Sequence, residues 1–338
     1  MNILVTGGAG FIGSHTVVEL VEAGHTPFII DNFTNSDSSV IDRLEKIVGK
    51  PMQFLNSDVR DARKLSGFIE NNNIDGVIHF AALKAVGESV EKPLDYYRNN
   101  LDGLLSVLEV MTTHNINNLI FSSSATVYGV PDTLPITEDA ALKTPTNPYG
   151  ATKQMSEQII KDVAKTSKLR ATLLRYFNPI GAHTSNLIGE SPLGTPNNLV
   201  PIVVQAASGK LKEIVIAGDD YDTPDGTGVR DYIHVVDLAK AHVKALEKMN
   251  ANGNKLDVYN LGTGKGSSVL EVIEAFEKVN NVKVPHRIGP RRDGDIATVY
   301  ASAEKAEAEL GWKASLTLED ALRDSWNFAK QSPQEQDS

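Results

Sequence analysis

The sequence predicts an α/β protein built on a doubly wound parallel sheet, with a second, smaller mixed α/β domain. Apolar, strand-like runs alternate with helix-like segments through the first half of the 338 residues, as in parallel sheets covered by helices on both faces. The first of these runs leads directly into a group of closely spaced glycines. Beyond about residue 178, glycine, proline and asparagine become frequent and the alternation stops, which indicates a change of domain.

The spacing of apolar residues predicts six strands and four main helices in the first half. Each predicted strand is a short run rich in branched apolar residues, whereas each predicted helix repeats apolar residues every three or four positions. The strands are expected at 2–6, 26–31, 52–55, 76–81, 117–122 and 170–176. The helices are expected at 11–23, 60–71, 94–114 and 148–166.

The two predicted domains are interleaved along the chain. Residues 1–178, together with about 231–250, should form the first, Rossmann-like domain, because the segment after Asp231 is predicted to be a helix that returns to it. Residues 179–230 and 251–330 should form the second domain. Residues 331–338 are polar and are expected to form a frayed tail.

Composition argues against several classes of protein. The formal net charge of −10 is unfavourable for a general nucleic-acid binder, which needs a basic surface. The chain has no cysteine for disulfides, thiolate metal sites or nucleophilic catalysis, and its eight histidines show no metal-ligand spacing. No apolar run approaches the length of a membrane span, and the first residues resemble a core strand rather than a signal peptide. We therefore expect a cytoplasmic protein that acts on small molecules without a metal.

The glycines after the first strand fit a dinucleotide-binding turn. Gly8, Gly10 and Gly13 match the pattern G-x-G-x-x-G, and Gly7 begins an overlapping G-x-x-G-x-x-G. Such glycines make the sharp turn, let a pyrophosphate approach bare backbone and let the following helix pack closely on the strand. The phosphates then lie at the helix N-terminus, where the helix dipole favours negative charge. The less specific alternative is an ordinary turn between a strand and a helix.

Asp31 ends the second predicted strand, 18 positions after Gly13. A carboxylate at this place meets the hydroxyls of the adenine ribose and would repel a 2′-phosphate. The spacing therefore predicts NAD rather than NADP as the cofactor, against the alternative of a surface aspartate.

Tyr149 and Lys153 form a candidate reactive pair. They are four residues apart on a predicted helix and so lie on one face, one turn apart. A phenol with a pKa of about 10 is a poor base at neutral pH, but a neighbouring ammonium and an oxidised nicotinamide would lower that pKa. Ser124 follows the preceding strand and would hold the substrate oxygen for Tyr149. The alternative is a solvated helix face, with two of the three serines Ser122, Ser123 and Ser124 in a solvated loop.

These motifs together resemble the extended branch of the short-chain dehydrogenase/reductase superfamily. Longer stretches closely resemble the UDP-glucose 4-epimerases, and the resemblance extends over essentially the whole chain, to about residue 327. The stretches are AVGESV at 85–90, SSSATVYG at 122–129, LRYFNPIGAH at 174–183 and DGTGVRDYIH at 225–234.

The resemblance implies a role for each matching residue. Catalysis would fall to Ser124, Tyr149 and Lys153. The residues implied to bind NAD are Gly7, Gly10, Phe11, Ile12, Gly13, Asp31, Asn32, Ser36, Asp58, Val59, Phe80, Ala81, Lys84, Asn99, Tyr149, Lys153 and Phe177. The residues implied to bind a UDP-sugar are Lys84, Ser124, Tyr149, Asn178, Asn198, Arg230, Arg292, Asp295 and Val299.

Two of these assignments leave alternatives open. Arg291 is adjacent to Arg292 and would serve equally well as the cation that binds the diphosphate. Val299 stands where family members limited to glucose and galactose tend to carry a tyrosine near the sugar 2-substituent, so the resemblance implies room for an N-acetyl group. The alternatives are that Val299 packs in the core, or that a one-residue slip places Tyr300 at this wall.

The implied reaction has two rivals. A nucleotide-sugar 4,6-dehydratase of the same superfamily would need an Asp-Glu pair after the strand-end serine, where this chain has Ala125 and Thr126. A non-catalytic NAD-bound sensor or scaffold would not need the reactive pair that this chain retains. The resemblance also implies a homodimer through the helices 94–114 and 148–166. His79, within an apolar strand, is expected to be a core residue rather than part of the site.

Overall fold

A computed structural model describes residues 1–331 except 193, 195, 253 and 293. Of the predicted polar tail, 332–338 lies outside the described residues, whereas Gln331 is the last residue of a helix.

The strands are numbered β1 to β14 and the α-helices α1 to α12 in chain order. The strands are Asn2–Thr6, Thr26–Asp31, Gln53–Asn56, Gly76–His79, Asn118–Ser124, Arg170–Tyr176, Asn178–Ile180, Ile214–Ala217, Val229–Arg230, Tyr232–His234, Leu256–Leu261, Ser267–Ser268, His286–Gly289 and Thr298–Val299. The α-helices are Phe11–Glu22, Ser39–Val48, Ala62–Glu70, Val86–Glu91, Pro93–Tyr97, Gly103–Thr113, Pro148–Thr166, Leu199–Ala207, Val235–Asn252, Val269–Asn280, Glu304–Leu310 and Leu318–Gln331. A π-helical segment, Arg98–Asp102, joins α5 to α6, and a 3₁₀ turn, Ala125–Tyr128, follows β5.

The main sheet has seven parallel strands in the order β11-β6-β5-β4-β1-β2-β3. The chain builds outward from β1 in one direction through β2 and β3, and then in the other direction from β4. In such a sheet the ligand crevice lies at the carboxyl ends of the strands where the order reverses, here β1 and β4. The predicted fold class is therefore confirmed.

Helices cover both faces of this sheet, and alternate residues of β1 divide between two cores. Ile3 and Val5 belong to a core shared with α1, α2 and α9, whereas Leu4 belongs to a core shared with α3, α6 and α7. This period of two is what a strand buried on both faces requires.

The smaller sheets pack around a separate core. β7 pairs with β10, β8 pairs with β13, and β9 lies between β12 and β14. A further apolar cluster links α8, α10 and α12 through residues such as Val203, Phe276 and Leu322, all of which are fully buried. These elements lie in 178–234 and 267–331, beyond the point at which the sequence pattern changes.

The structure differs from the predicted elements in several places. β5 continues to Ser124, so all three serines pair with β6 and are buried rather than solvated. The helix predicted over 94–114 is divided by the π-helical segment, where Asn100 bonds to the backbone of Leu83. Neither α2 nor α4 was among the predicted helices, and β4 ends at His79 rather than at residue 81. β11 joins the main sheet through parallel pairing with β6, although the prediction placed every residue beyond 250 in the second domain.

His79 is a core residue, as the sequence predicts. Its side chain is buried, and Nδ1 lies 2.7 Å from the hydroxyl oxygen of Thr6. Burial lowers the pKa of His79 to about 3, so the ring is neutral in the folded protein.

Candidate active site

The glycine-rich turn between β1 and α1 has no room for side chains. Gly7 has a φ of 69°, and a Cβ placed there would lie 2.8 Å from the backbone nitrogen of Ala81. A Cβ at Gly13 would lie 2.2 Å from the carbonyl oxygen of Gly7. Gly10 is the N-cap of α1 and has no side chain to cap the helix, so the N-terminus is open to an anion. The turn therefore fits a pyrophosphate.

Asp31 lies beside this turn, at the end of β2. Its Oδ2 accepts a hydrogen bond from the backbone nitrogen of Ala9 at 3.0 Å. Its Oδ1 accepts from the backbone nitrogen of Phe33 at 2.9 Å and from the hydroxyl of Ser36 at 3.1 Å. The carboxylate is thus fixed next to the position where a dinucleotide would cross from pyrophosphate to ribose.

A second carboxylate lies next to Asp31 at the end of β3. Asp58 accepts a hydrogen bond from Asn32 at 3.2 Å and is held by Arg60 through contacts of 2.9 and 2.6 Å. The Arg60 guanidinium lowers the pKa of Asp58 to about 2, so this carboxyl is ionised at neutral pH. Val59 is buried in the core shared with α3 and α6.

The remaining cofactor candidates lie around the ends of β4 and β6. The Phe80 ring centroid is 4.8 Å from that of His242, and the Lys84 ammonium lies 5.9 Å from the centroid of Phe11. Ala81 donates its backbone N–H to Thr6. Asn99 is in the π-helical segment and donates to Asn100, while Phe177 is buried directly after β6.

The reactive pair lies at the start of α7. Pro148 occupies the first turn, and the side-chain oxygen of Asn147 accepts from the backbone nitrogen of Gly150 at 2.8 Å, which explains why the helix begins here. Lys153 Nζ donates to the carbonyl oxygen of Ser122 at 2.6 Å and lies 5.9 Å from the centroid of the Tyr149 ring. Both groups therefore meet the carboxyl end of β5.

Burial dominates the electrostatics of this pair. It raises the pKa of Tyr149 above the ordinary value, while a hydrogen bond with Ser124 acts in the opposite direction. Burial also lowers the pKa of Lys153 to about 7, opposed by the carboxylate of Glu157. Lys153 is therefore only partly charged at neutral pH, and the sequence-based expectation that it would bring the pKa of Tyr149 below the ordinary value is not met by these residues alone.

Two predicted substrate residues lie on neighbouring strands. Arg230, on β9, forms an ion pair with Asp295 at 3.0 Å. Val299, on β14, is the register partner of Arg230 and packs in a cluster that includes Phe177. Tyr300 lies near Gly266 instead, since a Cβ there would be 3.6 Å from its ring. Val299 therefore contacts the cluster that contains Phe177, a cofactor candidate, and pairs with Arg230, a substrate candidate.

The adjacent arginines differ in their contacts. Arg291 donates to Asp220 at 2.6 Å and lies with its guanidinium 4.1 Å from the centroid of the Tyr221 ring. Among the residues that the structure describes, Arg292 makes no side-chain hydrogen bond or ion pair and is exposed. Of the two adjacent arginines, Arg291 is thus committed to Asp220 and Tyr221, whereas Arg292 is not paired within the described residues.

Glu190 is a further candidate site residue, one that the sequence analysis did not single out. Its carboxylate, with a side chain 11% exposed, accepts from Lys84 at 3.1 Å and from the side-chain nitrogen of Asn198 at 2.6 Å. Asn198 is the N-cap of α8 but does not cap it with its side chain. Glu190 thus joins Lys84, a cofactor candidate, to Asn198, a substrate candidate, and no local pattern in the sequence indicates this.

Asn178, another substrate candidate, is the first residue of β7. It donates its backbone N–H to the carbonyl oxygen of Asp231 at 3.0 Å.

The residues after Ser124 carry no group for acid–base elimination. Ala125 is apolar, and the Thr126 hydroxyl donates to the Ser124 hydroxyl at 3.0 Å. Among the described residues, no group of histidine, aspartate and glutamate side chains has the arrangement of a metal site. None of the helices in the same residues is both long and apolar enough to cross a membrane.

Comparison with known proteins identifies the family. A family model described as GDP-mannose 4,6 dehydratase matches residues 4–325. The chain is 54% identical to the UDP-glucose 4-epimerase of Bacillus subtilis (strain 168) over 329 residues, covering 97% of this chain and 96% of the relative. The chain belongs to both of these families. The resemblance to the UDP-glucose 4-epimerases in the sequence analysis is therefore confirmed.

Solved structures of epimerases share the fold over nearly the whole chain. The UDP-glucose 4-epimerase from Bifidobacterium longum, in complex with NAD⁺ and UDP, has a TM-score of 0.95 and 54% identity, covering 98% of this chain and 99% of its own. The UDP-Glc/GlcNAc 4-epimerase from Campylobacter jejuni has a TM-score of 0.85 and 35% identity, covering 98% and 99% respectively.

Proposed function

We propose that the protein is an NAD-dependent UDP-hexose 4-epimerase that interconverts UDP-galactose and UDP-glucose. The observation that carries this proposal is the meeting of Ser124, Tyr149 and Lys153 at the end of β5, beside a glycine turn built for a pyrophosphate. The relatives that match almost the entire chain are named for the same reaction.

The residues fit an NAD molecule. The turn at Gly7 and Gly13 excludes even a Cβ, as a site for bare contact with phosphates must. Asp31, fixed beside that turn, would meet the ribose hydroxyls and disfavour the 2′-phosphate of NADP. Lys84, Asn99 and the other groove residues given above would hold the rest of the dinucleotide. When bound, NAD supplies the hydride acceptor and donor for carbon 4 of the sugar.

Tyr149 would move the proton in both directions. As phenolate it takes the proton of the sugar 4-hydroxyl, and after the 4-keto sugar has rotated to present its opposite face it returns that proton to the same 4-oxygen. Carbon 4 is oxidised and then reduced again, so the reaction is redox-neutral overall. Ser124 holds the sugar oxygen next to the phenol, and the Lys153 ammonium stabilises the phenolate.

The substrate residues would anchor the nucleotide while the sugar turns. Arg230 and Arg292 supply fixed positive charge for the diphosphate, which a chain of net charge −10 needs locally. Asn178, Asn198 and Asp295 add hydrogen-bonding groups around them. Binding energy from the uridine diphosphate can thus retain the intermediate without holding the sugar ring itself.

The test is conversion of UDP-galactose to UDP-glucose by the purified protein, together with the absorbance of the bound cofactor. Equilibration of the two sugars, with transient reduced-nicotinamide absorbance, supports the epimerase. A 4-keto-6-deoxy product would instead indicate the dehydratase. Binding of NAD and UDP-sugar without turnover would indicate the sensor or scaffold.

We also propose that N-acetylated UDP-sugars are accepted. The support is the position of Val299 beside Arg230 and in the cluster of Phe177, where a side chain smaller than tyrosine would leave room next to the sugar. Val299→Tyr should suppress turnover of UDP-N-acetylgalactosamine while sparing UDP-galactose, since the added ring obstructs only the larger sugar. Equal loss on both sugars, or no N-acetyl activity in the wild type, would refute this proposal.

Further proposals concern organisation. We propose that residues 1–178 and about 231–250, with β11 added, form the NAD-binding domain, and that 179–230 and the rest of 251–330 form the UDP-sugar-binding domain.

We propose a homodimer through α5, α6 and α7, supported by exposed apolar side chains on these helices, among them Leu94, Leu105 and Met155. The cytoplasmic location stays a prediction.

A further inference from the structure

The end of β5 is joined to successive turns of α7 by consecutive serines. The Ser124 hydroxyl favours the charged form of the Tyr149 phenol, and the carbonyl oxygen of Ser122 accepts from Lys153 Nζ at 2.6 Å. Tyr149 and Lys153 are one turn apart on one face of α7. The same face continues one turn further, to a residue that the proposed mechanism does not use.

That residue is Glu157, which is fully buried. It accepts a hydrogen bond from the hydroxyl of Ser123 at 2.6 Å. Arg175, on β6 and also buried, donates to both carboxylate oxygens at 2.8 and 2.6 Å. Lys161, one turn further along α7, lies with its Nζ 3.4 Å from a carboxylate oxygen of Glu157. The three serines thus contact three successive turns of α7, and the innermost contact ends in an ion pair.

A buried ion pair stabilises a fold little compared with apolar residues of the same volume, so its position directly behind Lys153 indicates a role in the site. Lys153 is itself buried, and a buried ammonium is unfavourable unless a negatively charged group lies nearby. The charged and titratable groups around Lys153 are Tyr149 and Glu157 on α7, His79 on β4, and Arg175 and Tyr176 on β6.

We propose that Glu157 is a positioning residue for the epimerase reaction: held by Ser123 and Arg175, it fixes α7 against β5 and keeps the Lys153 ammonium protonated for the Tyr149 phenolate. The inference rests on the proposed function. Of the surrounding groups, Glu157 is the one that carries a full negative charge, and it raises the pKa of Lys153 against the effect of burial.

The first test is Glu157→Gln, which keeps the shape of the side chain but leaves the Arg175 cation unbalanced. The loss of the carboxylate charge and the unbalanced Arg175 cation both disfavour a charged Lys153. The alkaline fall of kcat should therefore move to lower pH by about one unit, with little change in KM for UDP-galactose. NMR of the ¹⁵N-labelled lysine side chain should show the Lys153 titration moving in the same direction. An unmoved alkaline limb in a folded, NAD-loaded variant would overturn the proposal.

The second test keeps every charge, in case Glu157→Gln does not fold. Ser123→Ala removes one hydrogen bond to Glu157 and should lower kcat roughly tenfold, with KM unchanged, because the reacting groups lose alignment. The matched control is Ser156→Ala, a buried serine on the same helix that is turned about 100° away from Glu157. Equal kcat in the two variants would overturn the positioning role.

Failure of the proposed function gives a different result. If the wild type does not epimerise UDP-galactose, the reaction assignment fails. The Lys153 titration in wild type and Glu157→Gln still decides whether the carboxylate controls the charge of the lysine, and identical titrations would reject that link.

Discussion

Tyr149 and Lys153 are the residues on which the proposed chemistry depends, and burial acts against the charged form of both. It raises the pKa of the phenol and lowers that of the ammonium to about 7. A phenolate beside an ammonium thus forms only with help from groups that favour charge: the Ser124 hydroxyl, the Ser122 carbonyl and the Glu157 carboxylate. Tyr149 and Lys153 are therefore suited to gaining and losing protons rather than to remaining a charged phenolate–ammonium pair.

Tyr149→Phe should abolish nearly all turnover, because it removes the proton carrier and keeps the ring. A general acid–base group contributes roughly 10²- to 10⁴-fold in rate, and kcat should fall by at least the lower figure. Binding of NAD and UDP, measured by calorimetry, should stay within a few-fold of the wild type. Turnover close to that of the wild type would remove Tyr149 from the mechanism.

Lys153→Met should stabilise the protein, freed of its cofactor, in a pH-dependent way. The pKa of this group falls from 10.5 in the unfolded chain to about 7 in the folded protein. Between these values the unfolded chain binds a proton that the folded protein does not, so in the wild type the free energy of unfolding contributed by Lys153 rises with pH. The gain from the substitution is therefore greatest at pH 7 and below, on the order of a few kcal/mol, and shrinks toward pH 10.

Denaturant unfolding at pH 7, 8.5 and 10 measures this difference. The control is Lys165→Met, which changes a lysine on the same helix whose side chain is 70% exposed. Its effect should be small and independent of pH. The linkage argument is wrong if Lys153→Met gives the same gain at all three pH values.

Residues that act through local spacing could be predicted from the sequence, whereas residues that act through distant partners could not. Gly13, Asp31 and the Tyr149–Lys153 pair follow from short-range patterns that chemistry imposes on one turn or one helix. Glu157 carries no such signal, because a glutamate four residues after a lysine is typical of a solvated helix face. Only the fold brings Arg175 to it.

At the level of elements, the junction of β1 with α1 depends on close backbone packing. Gly13→Ala puts a methyl group 2.2 Å from the carbonyl oxygen of Gly7, so the turn must open. We expect NAD retention to fall by at least tenfold, since the phosphate-binding amides lose their alignment. The measurement is the amount of NAD that stays bound to the variant and to the wild type after gel filtration, determined by absorbance.

Gly67→Ala is the matched control, since Gly67 lies within α3 and a Cβ there meets nothing within 4 Å. Alanine should stabilise this helix by about 0.5–1 kcal/mol and leave NAD retention unchanged. Equal NAD retention in the two variants would show that the turn tolerates a side chain and does not touch the cofactor.

The elements that the sequence predicts best are those with strong local determinants. The helix predicted over 148–166 has these same bounds in the structure, because Asn147 and Pro148 fix its start. The helix predicted over 94–114 is interrupted because Asn100 bonds to Leu83, in the loop after β4, and to Thr152, on α7. The place of β11 in the main sheet was not predicted because it depends on pairing with β6, which is distant in the sequence.

For the whole molecule, the helices that carry the reactive residues also carry an apolar outer surface. Leu94 on α5 is 68% exposed and Met155 on α7 is 45% exposed, and α5 packs against α7. Large apolar side chains grouped on adjacent helices are typical of a protein–protein interface. The same helix α7 thus faces the active site on one side and this surface on the other.

The double variant Leu94→Glu/Met155→Glu should be a monomer, because burying two carboxylates in an apolar interface is strongly unfavourable. Light scattering after gel filtration should give twice the chain mass for the wild type and the single mass for the variant. Val215→Glu is the control, since Val215 is 47% exposed but lies on β8, away from α5 and α7, and should leave the dimer intact. A monomeric wild type, or a double variant that stays dimeric, would contradict the proposed interface.

The monomer should also turn over UDP-galactose more slowly. Tyr149 and Lys153 lie on α7, and this helix loses packing on its outer face while its inner face must keep the reactive groups aligned.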